Sequence, residues 1–123
     1  MTPAPRHKVI VLESIHPDGI AILEESCEVH QLSGPNDGSL ASLLPTADAL
    51  VVRSTRVSAS MIAAARSLKV IGRHGAGTDN IDLSAAARQG VAVVNTPRSN
   101  TDSVAEYVIT VTLMLLKRID EAT

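Results

Sequence analysis

The sequence predicts an α/β fold of the flavodoxin-like kind, a doubly wound parallel sheet of five strands with a long helix at its C-terminal end. Three observations carry this. Short runs of β-branched apolar residues alternate with Ala-rich segments of helical spacing, the rhythm of strand–helix–strand units. The strand-like runs are continuously apolar, as strands covered on both faces must be. Aromatic residues are nearly absent, with one Tyr and no Phe or Trp, so the core must be assembled from Ala, Val, Ile and Leu.

Lys8–Leu12 reads as a strand buried on both faces, and Pro17–Ser26 as a helix with Ile20 and Leu23 on one side. Glu28–Leu32 alternates and reads as a sheet edge. Gly34–Gly38 is a turn cluster, and Ser39–Leu44 a short helix that Pro45 closes. Ala49–Val52 is the third strand and Ala59–Ser67 a helix; Lys69–Ile71 is the fourth strand and Asp82–Gln89 a helix. Asp82 stands where an N-cap belongs and Gly90 where a left-handed terminating residue belongs. Val91–Val94 is the fifth strand and Ser103–Ile119 the last helix. Short connections between alternating elements imply right-handed parallel crossovers.

At 123 residues the chain suits one domain, and 45% apolar residues suffice for a core. A net charge of −2 supplies no global basic field for a polyanion, and the lack of aromatics argues against base stacking, so nucleic acid is not an expected partner. The single Cys27 excludes an internal disulfide, fits a reducing cytoplasmic setting, and is expected to be a packed apolar residue rather than a reactive thiol. Met1–Lys8 lacks the apolar stretch of a signal peptide, and the longest apolar run, Val108–Leu116, is too short to span a bilayer.

Ligands of open parallel sheets bind beyond the carboxyl ends of the strands. There the chain places Glu13 and Ser14, then Arg53-Ser54-Thr55-Arg56, then Gly72 to Asn80, then Asn95 to Asn100. Arg53, Arg56, Arg73, His74 and Arg98 make this edge basic in a slightly acidic protein, and the glycines allow close approach of backbone N–H groups. A small anion, carboxylate or phosphate, is the expected guest; the bland alternative is that individual arginines cover helix ends or face solvent. Gly72, Gly75 and Gly77 are spaced G-x-x-G-x-G, and the following helix starts well after them, so the loop is rejected as a dinucleotide fingerprint. No P-loop, metal-ligand spacing or nucleophile elbow is present.

Three motifs resemble a known family. Val51-Val52-Arg53-Ser54, then Lys69 through Gly72-Arg73-His74-Gly75-Ala76-Gly77-Thr78-Asp79-Asn80-Ile81-Asp82, then Val93-Val94-Asn95-Thr96-Pro97 with Asn100 to Glu106, are similar to the D-isomer-specific 2-hydroxyacid dehydrogenases, the family of phosphoglycerate dehydrogenase and hydroxypyruvate reductase. The likeness runs over essentially the whole chain. It implies a substrate-binding domain over residues 1–100 and an interdomain helix over 101–123 leading to a Rossmann domain that binds NAD or NADP. It implies that Arg53 and Ser54 face the distal group of a 2-hydroxy or 2-oxo acid, that Gly75, Ala76 and Gly77 present N–H groups to its carboxylate, and that Asn100 stands near both carboxylate and nicotinamide. Ala76 and Asn100 are the two residues it places towards the cofactor; members often carry a hydroxyl residue where Ala76 stands. The family's dinucleotide fingerprint and its catalytic Arg, Glu and His lie downstream of the last helix, so the expectation is no catalytic residue in this chain, His74 included, and no cofactor held by it alone. Arg53, Arg56 and Arg98 suit a substrate with a second anionic group, such as 3-phosphoglycerate.

The last helix is apolar nearly all round, which predicts a second partner surface and homodimerisation through it. The rival readings are a stand-alone small-anion-binding or regulatory module of the same fold, and a structural interaction module. A phospho-receiver would need clustered acids after strand one and a lysine after strand five, where this chain offers Glu13 and Pro97-Arg98.

Overall fold

The computed structural model describes residues 6–75, 77–95 and 104–122. In chain order the elements are β1 (His7–Val11), α1 (Pro17–Glu24), β2 (Cys27–Gln31), α2 (Leu40–Leu43) running into a 3-10 turn (Leu44–Thr46), β3 (Ala49–Val52), α3 (Ala59–Ala64), β4 (Val70–Arg73), α4 (Leu83–Gln89), β5 (Ala92–Asn95) and α5 (Val104–Ala122). All strand pairings are parallel, and the order across the sheet is β2-β1-β3-β4-β5. This is the expected doubly wound sheet.

Side chains of successive strand residues go to opposite faces. Ile10, Leu12, Leu50, Val52 and Ile71 pack with Leu40, Leu44, Ile62 and Ala85, which puts α2, α3 and α4 on one face. Val9, Val11, Val51 and Val70 pack with Ile20, Leu23, Ile109 and Leu116, which puts α1 and α5 on the other. The strand order accounts for the division. The chain moves from β1 to β2 in one direction and thereafter in the opposite one. With right-handed crossovers, reversing direction switches the face on which the connecting helix lies. The reversal leaves a crevice where β1 and β3 send their chains to opposite faces.

Several boundaries differ from the sequence reading, each for a physical reason. β4 extends through Gly72 and Arg73, because Gly72 pairs with Val51 and Val94, and Arg73 with Val52 and Asn95. Flanking strands on both sides override the weak strand preference of glycine. Pro45 does not end its helix; it sits in the first turn of the 3-10 continuation, where its missing N–H costs nothing. α3 stops at Ala64 rather than at Ser67, and Gln89 Nε2 donates to the carbonyls of Ile62 and Ala65 at 2.9 Å each, satisfying its terminal acceptors. The expected caps of α4 are present: the Asp82 carboxylate accepts the Ala85 N–H at 2.9 Å, and Gly90 is left-handed at φ 73°. Cys27 is buried with no disulfide partner.

At the amino ends of the strands, Asp48 ties three of them together. It accepts the Lys8 N–H and the Lys69 ammonium, both at 2.9 Å, with His7 Nδ1 3.5 Å away. Polar interactions there are spent on structure.

Gly72 is the closest point between the sheet and α5. A Cβ at this position would lie 2.7 Å from Thr112 Oγ1 and 3.0 Å from Val108 Cγ1. Thr112 is wholly buried, and its hydroxyl has no hydrogen-bond partner. Glycine is required here for clearance, not for an unusual dihedral. Gly72→Ala is expected to destabilise the fold by roughly 1–3 kcal/mol through overpacking. Urea unfolding of the single variant and of Gly72→Ala/Thr112→Ala checks this; the second substitution should recover part of the loss because the two sites touch.

Candidate functional site at the carboxyl edge of the sheet

The loops at the carboxyl ends of β1, β3 and β4 are joined by an unbroken set of hydrogen bonds. Glu13, immediately beyond β1, reaches across the crevice to the loop after β3. Its Oε1 accepts the backbone N–H groups of Arg53, Ser54 and Thr55 at 2.7, 2.5 and 2.6 Å, and its Oε2 accepts the Ser54 hydroxyl at 2.9 Å. Three consecutive main-chain N–H groups converging on one oxygen form an anion nest. Here the anion belongs to the chain itself.

The β3 loop is held equally from the β4 side. The Val52 carbonyl accepts the His74 N–H at 2.7 Å. Asn80 Nδ2 donates to the Thr55 carbonyl at 2.8 Å, and Asn80 Oδ1 accepts from Arg73 Nε at 3.3 Å. Val57 forms a parallel bridge with Ile81, its N–H donating to the Asn80 carbonyl at 2.7 Å while its own carbonyl accepts the Asp82 N–H at 3.0 Å. The Arg73 guanidinium lies over Gly75, where any Cβ would collide with it, and Gly75 has φ 146°. The positive φ is what demands glycine.

Of the residues singled out from sequence, Arg53, Ser54, Gly75 and Gly77 therefore stand on two neighbouring, cross-linked loops. Arg53, Arg56 and Ser54 are exposed, and Arg73 and His74 half-buried. Ala76, Arg98 and Asn100 lie outside the described residues, as does the expected boundary between residues 100 and 101; Asn95, the last described residue before them, is in register with Arg73. Sequence reasoning noted Glu13 only as the residue following the first strand. Its partners are 40 to 42 positions away, a separation no local pattern reveals. The available signal was an acid beyond β1 at the point where the strand order reverses.

The G-x-x-G-x-G loop does not run directly into a helix N-terminus. The N-terminus of α4 is already capped by the Asp82 carboxylate, whose negative charge occupies the place a pyrophosphate would take. Among the described residues there is no group of three or more His, Cys, Asp or Glu that could hold a metal ion. What the arrangement can do is present cationic side chains and glycine-loop N–H groups to a small acid. A separate hollow between α3 and α4 is lined by Ile62, Ala85, Arg88 and Gln89 among others, and the Gln89 amide in it caps α3.

Burial alone would raise the pKa of Glu13, but the N–H groups of Thr55, Arg53 and Ser54 and the Ser54 hydroxyl outweigh it and hold the carboxyl at about 2, against 4.5 unperturbed. A depressed pKa means that the folded state favours the charged form. The resulting stabilisation is fully present above pH 4.5 and is lost as pH falls from there through about 2. Acid unfolding followed by circular dichroism should therefore be shallower between these limits for Glu13→Gln than for the wild-type chain. Asp37 and Asp48, also depressed, titrate in both proteins and cancel in the comparison.

A family model described as D-isomer specific 2-hydroxyacid dehydrogenase, catalytic domain, matches residues 9–123. The chain is 40% identical over 116 residues to the D-3-phosphoglycerate dehydrogenase of Synechocystis, covering 94% of this chain and 21% of that protein. It is 44% identical over 117 residues to the D-3-phosphoglycerate dehydrogenase of Methanocaldococcus jannaschii, with 94% and 22% covered. Among solved structures, the NAD+-bound 3-phosphoglycerate dehydrogenase of Entamoeba histolytica superimposes with a TM-score of 0.69 at 30% identity, over 87% of this chain and 38% of that one. The chain thus spans about a fifth of the length of these curated relatives. With a match running from the first strand to the final residue, the chain belongs to the D-isomer specific 2-hydroxyacid dehydrogenase family and represents part of its catalytic domain.

Proposed function

We propose that this chain is the substrate-binding part of an NAD- or NADP-dependent dehydrogenase that interconverts 2-hydroxy and 2-oxo acids, with a phosphorylated acid of the 3-phosphoglycerate type as substrate. The observation that carries the reading is the cross-linking of the Arg53–Ser54 loop to the Gly75–Gly77 loop through His74, Asn80 and Arg73. It gives a cationic side chain and a glycine-bearing stretch of main chain a fixed separation, as recognition of an acid with two anionic ends requires. In this reading residues 1–100 form the substrate domain and the segment from 101 onward leads to the cofactor domain. Gly75, Ala76 and Gly77 hold the carboxylate, Arg53 and Ser54 meet the distal group, and Ala76 and Asn100 border the cofactor. The chain's own contribution is orientation and charge neutralisation. Its relatives of the phosphoglycerate class and the exposed Arg53 and Arg56 support the phosphorylated substrate; the single unbridged Cys27 supports a reducing, cytoplasmic setting.

The test is an NMR titration of the chain with 3-phosphoglycerate. Saturable shifts are expected at the amides of Ser54, Gly75 and Gly77. Arg53→Ala should weaken binding about tenfold, the worth of one charge-assisted hydrogen bond. Absence of saturable shifts anywhere along the carboxyl edge would defeat the proposal.

The same reading includes self-association through α5. Val108, Ile109, Thr112 and Leu116 face the sheet, whereas Met114 is 52% exposed with Leu113 and Leu115 only partly covered beside it. Met114→Glu is expected to shift the sedimentation coefficient towards that of a monomer; a wild-type chain already monomeric at high concentration would contradict this.

A further inference from the structure

The Glu13 clamp bears on how the β3 loop can meet a ligand. Every donor that this loop turns inward is already engaged: the N–H groups of Arg53, Ser54 and Thr55 and the Ser54 hydroxyl all point at one carboxylate. The loop therefore cannot offer these N–H groups to a substrate anion, and its cationic elements are the exposed Arg53 and Arg56 side chains. A negative charge at an anion-binding edge would ordinarily repel the guest. This one keeps its charge but is half-buried, with four hydrogen bonds from the loop directed at its two oxygens. The loop is also held at its far side, where Asn80 grips the Thr55 carbonyl. It is thus fixed from β1 and from β4, and the contact on the β1 side involves a full charge.

We propose that Glu13 is a positioning residue of the substrate site: its carboxylate, locked under the Arg53–Thr55 main chain, holds the loop in the one shape that aims Arg53 at the ligand. The proposal rests on the substrate-domain reading given above. Glu13 does not touch the substrate; it acts through Arg53. Removing the carboxylate frees three N–H groups and a hydroxyl, and the loop then samples other shapes and carries the Arg53 side chain with it.

The experiment uses the chain with Glu13→Gln and Glu13→Ala, with 3-phosphoglycerate as the probe and formate as an external carboxylate. Amide exchange at Arg53, Ser54 and Thr55 should accelerate by about tenfold or more in both variants, while β-strand core amides keep wild-type protection. Affinity for the probe should fall by about tenfold. Formate should restore both the protection and the affinity of Glu13→Ala, by refilling the nest, and should do nothing for Arg53→Ala, which loses the side chain itself. Formate rescue is an effect that general destabilisation does not produce. Should Glu13→Ala not fold, Glu13→Gln, which keeps the shape and one acceptor oxygen, carries the same measurements. Wild-type affinity in either folded variant, with the wild-type chain binding the probe, overturns the role of Glu13 alone. A wild-type chain that does not bind the probe, with exchange at residues 53–55 still dependent on Glu13, overturns the substrate-site reading and this role with it, while leaving the clamp as a structural feature.

Discussion

A parallel sheet covered on both faces gives polar side chains no place except the two ends of its strands, and this constraint organises the whole molecule. Val9 to Leu12, Ala49 to Val52 and Val70 to Ile71 are buried to 1% exposure or less, and helices close both faces above them. The amino ends of the strands carry the Asp48 junction with Lys8, Lys69 and His7, whose donors and acceptors serve one another. At the carboxyl ends the polar groups are more numerous, and they include exposed arginines with no role in the core. The asymmetry between the ends separates a structural edge from a recognition edge. It arises because the turns leaving a parallel strand release the chain at its carboxyl end, where successive loops from neighbouring strands meet.

The strand order determines which loops meet. Reversal of chain direction at β1 and β3 sends α1 to one face and α3 to the other, and the gap so formed is where many folds of this type admit a ligand. In this chain Glu13 bridges the gap. Its Oε1 accepts the main-chain N–H groups of Arg53, Ser54 and Thr55, so the crevice is crossed by hydrogen bonds of the chain itself. Beyond β4, Gly75 is favoured as glycine by its φ of 146°, and the Arg73 guanidinium lies in the space a side chain would need. Arg73 is thereby accounted for as a strut: it stacks over the glycine loop and bonds to Asn80, which in turn secures the β3 loop. Of the basic residues at this edge, Arg73 is structural and Arg53 and Arg56 are the exposed charges.

The fold was almost fully legible in the sequence because burial on both faces writes itself as continuous apolar runs, and the caps of α4 follow from local chemistry at Asp82 and Gly90. The misjudged boundaries are those that depend on distant partners. Gly72 and Arg73 become strand because β3 and β5 flank them, and α3 ends early where Gln89, 24 and 27 residues on, takes its last carbonyls. The site was legible as a set of loops but not as a mechanism of assembly. Arginines and glycines announce themselves by type; Glu13 looks like an unremarkable acid until Arg53, some 40 residues away, is brought over it. Asn80 was likewise quoted as part of a motif without its bond to Thr55 being foreseeable.

The division between holding and reacting also follows from these contacts. Hydrogen bonds that fix the loops to one another lower the entropy lost when a ligand is ordered, yet none of them moves a proton. His74, the one histidine at this edge among the described residues, donates its main-chain N–H to the Val52 carbonyl and so ties β4 to β3. Binding the ground state of an acid more tightly accelerates nothing unless some interaction strengthens in the transition state. The rigidity built by Glu13, Asn80 and Arg73 therefore has value only as alignment: it fixes the loops after β1, β3 and β4 relative to one another before anything is bound there.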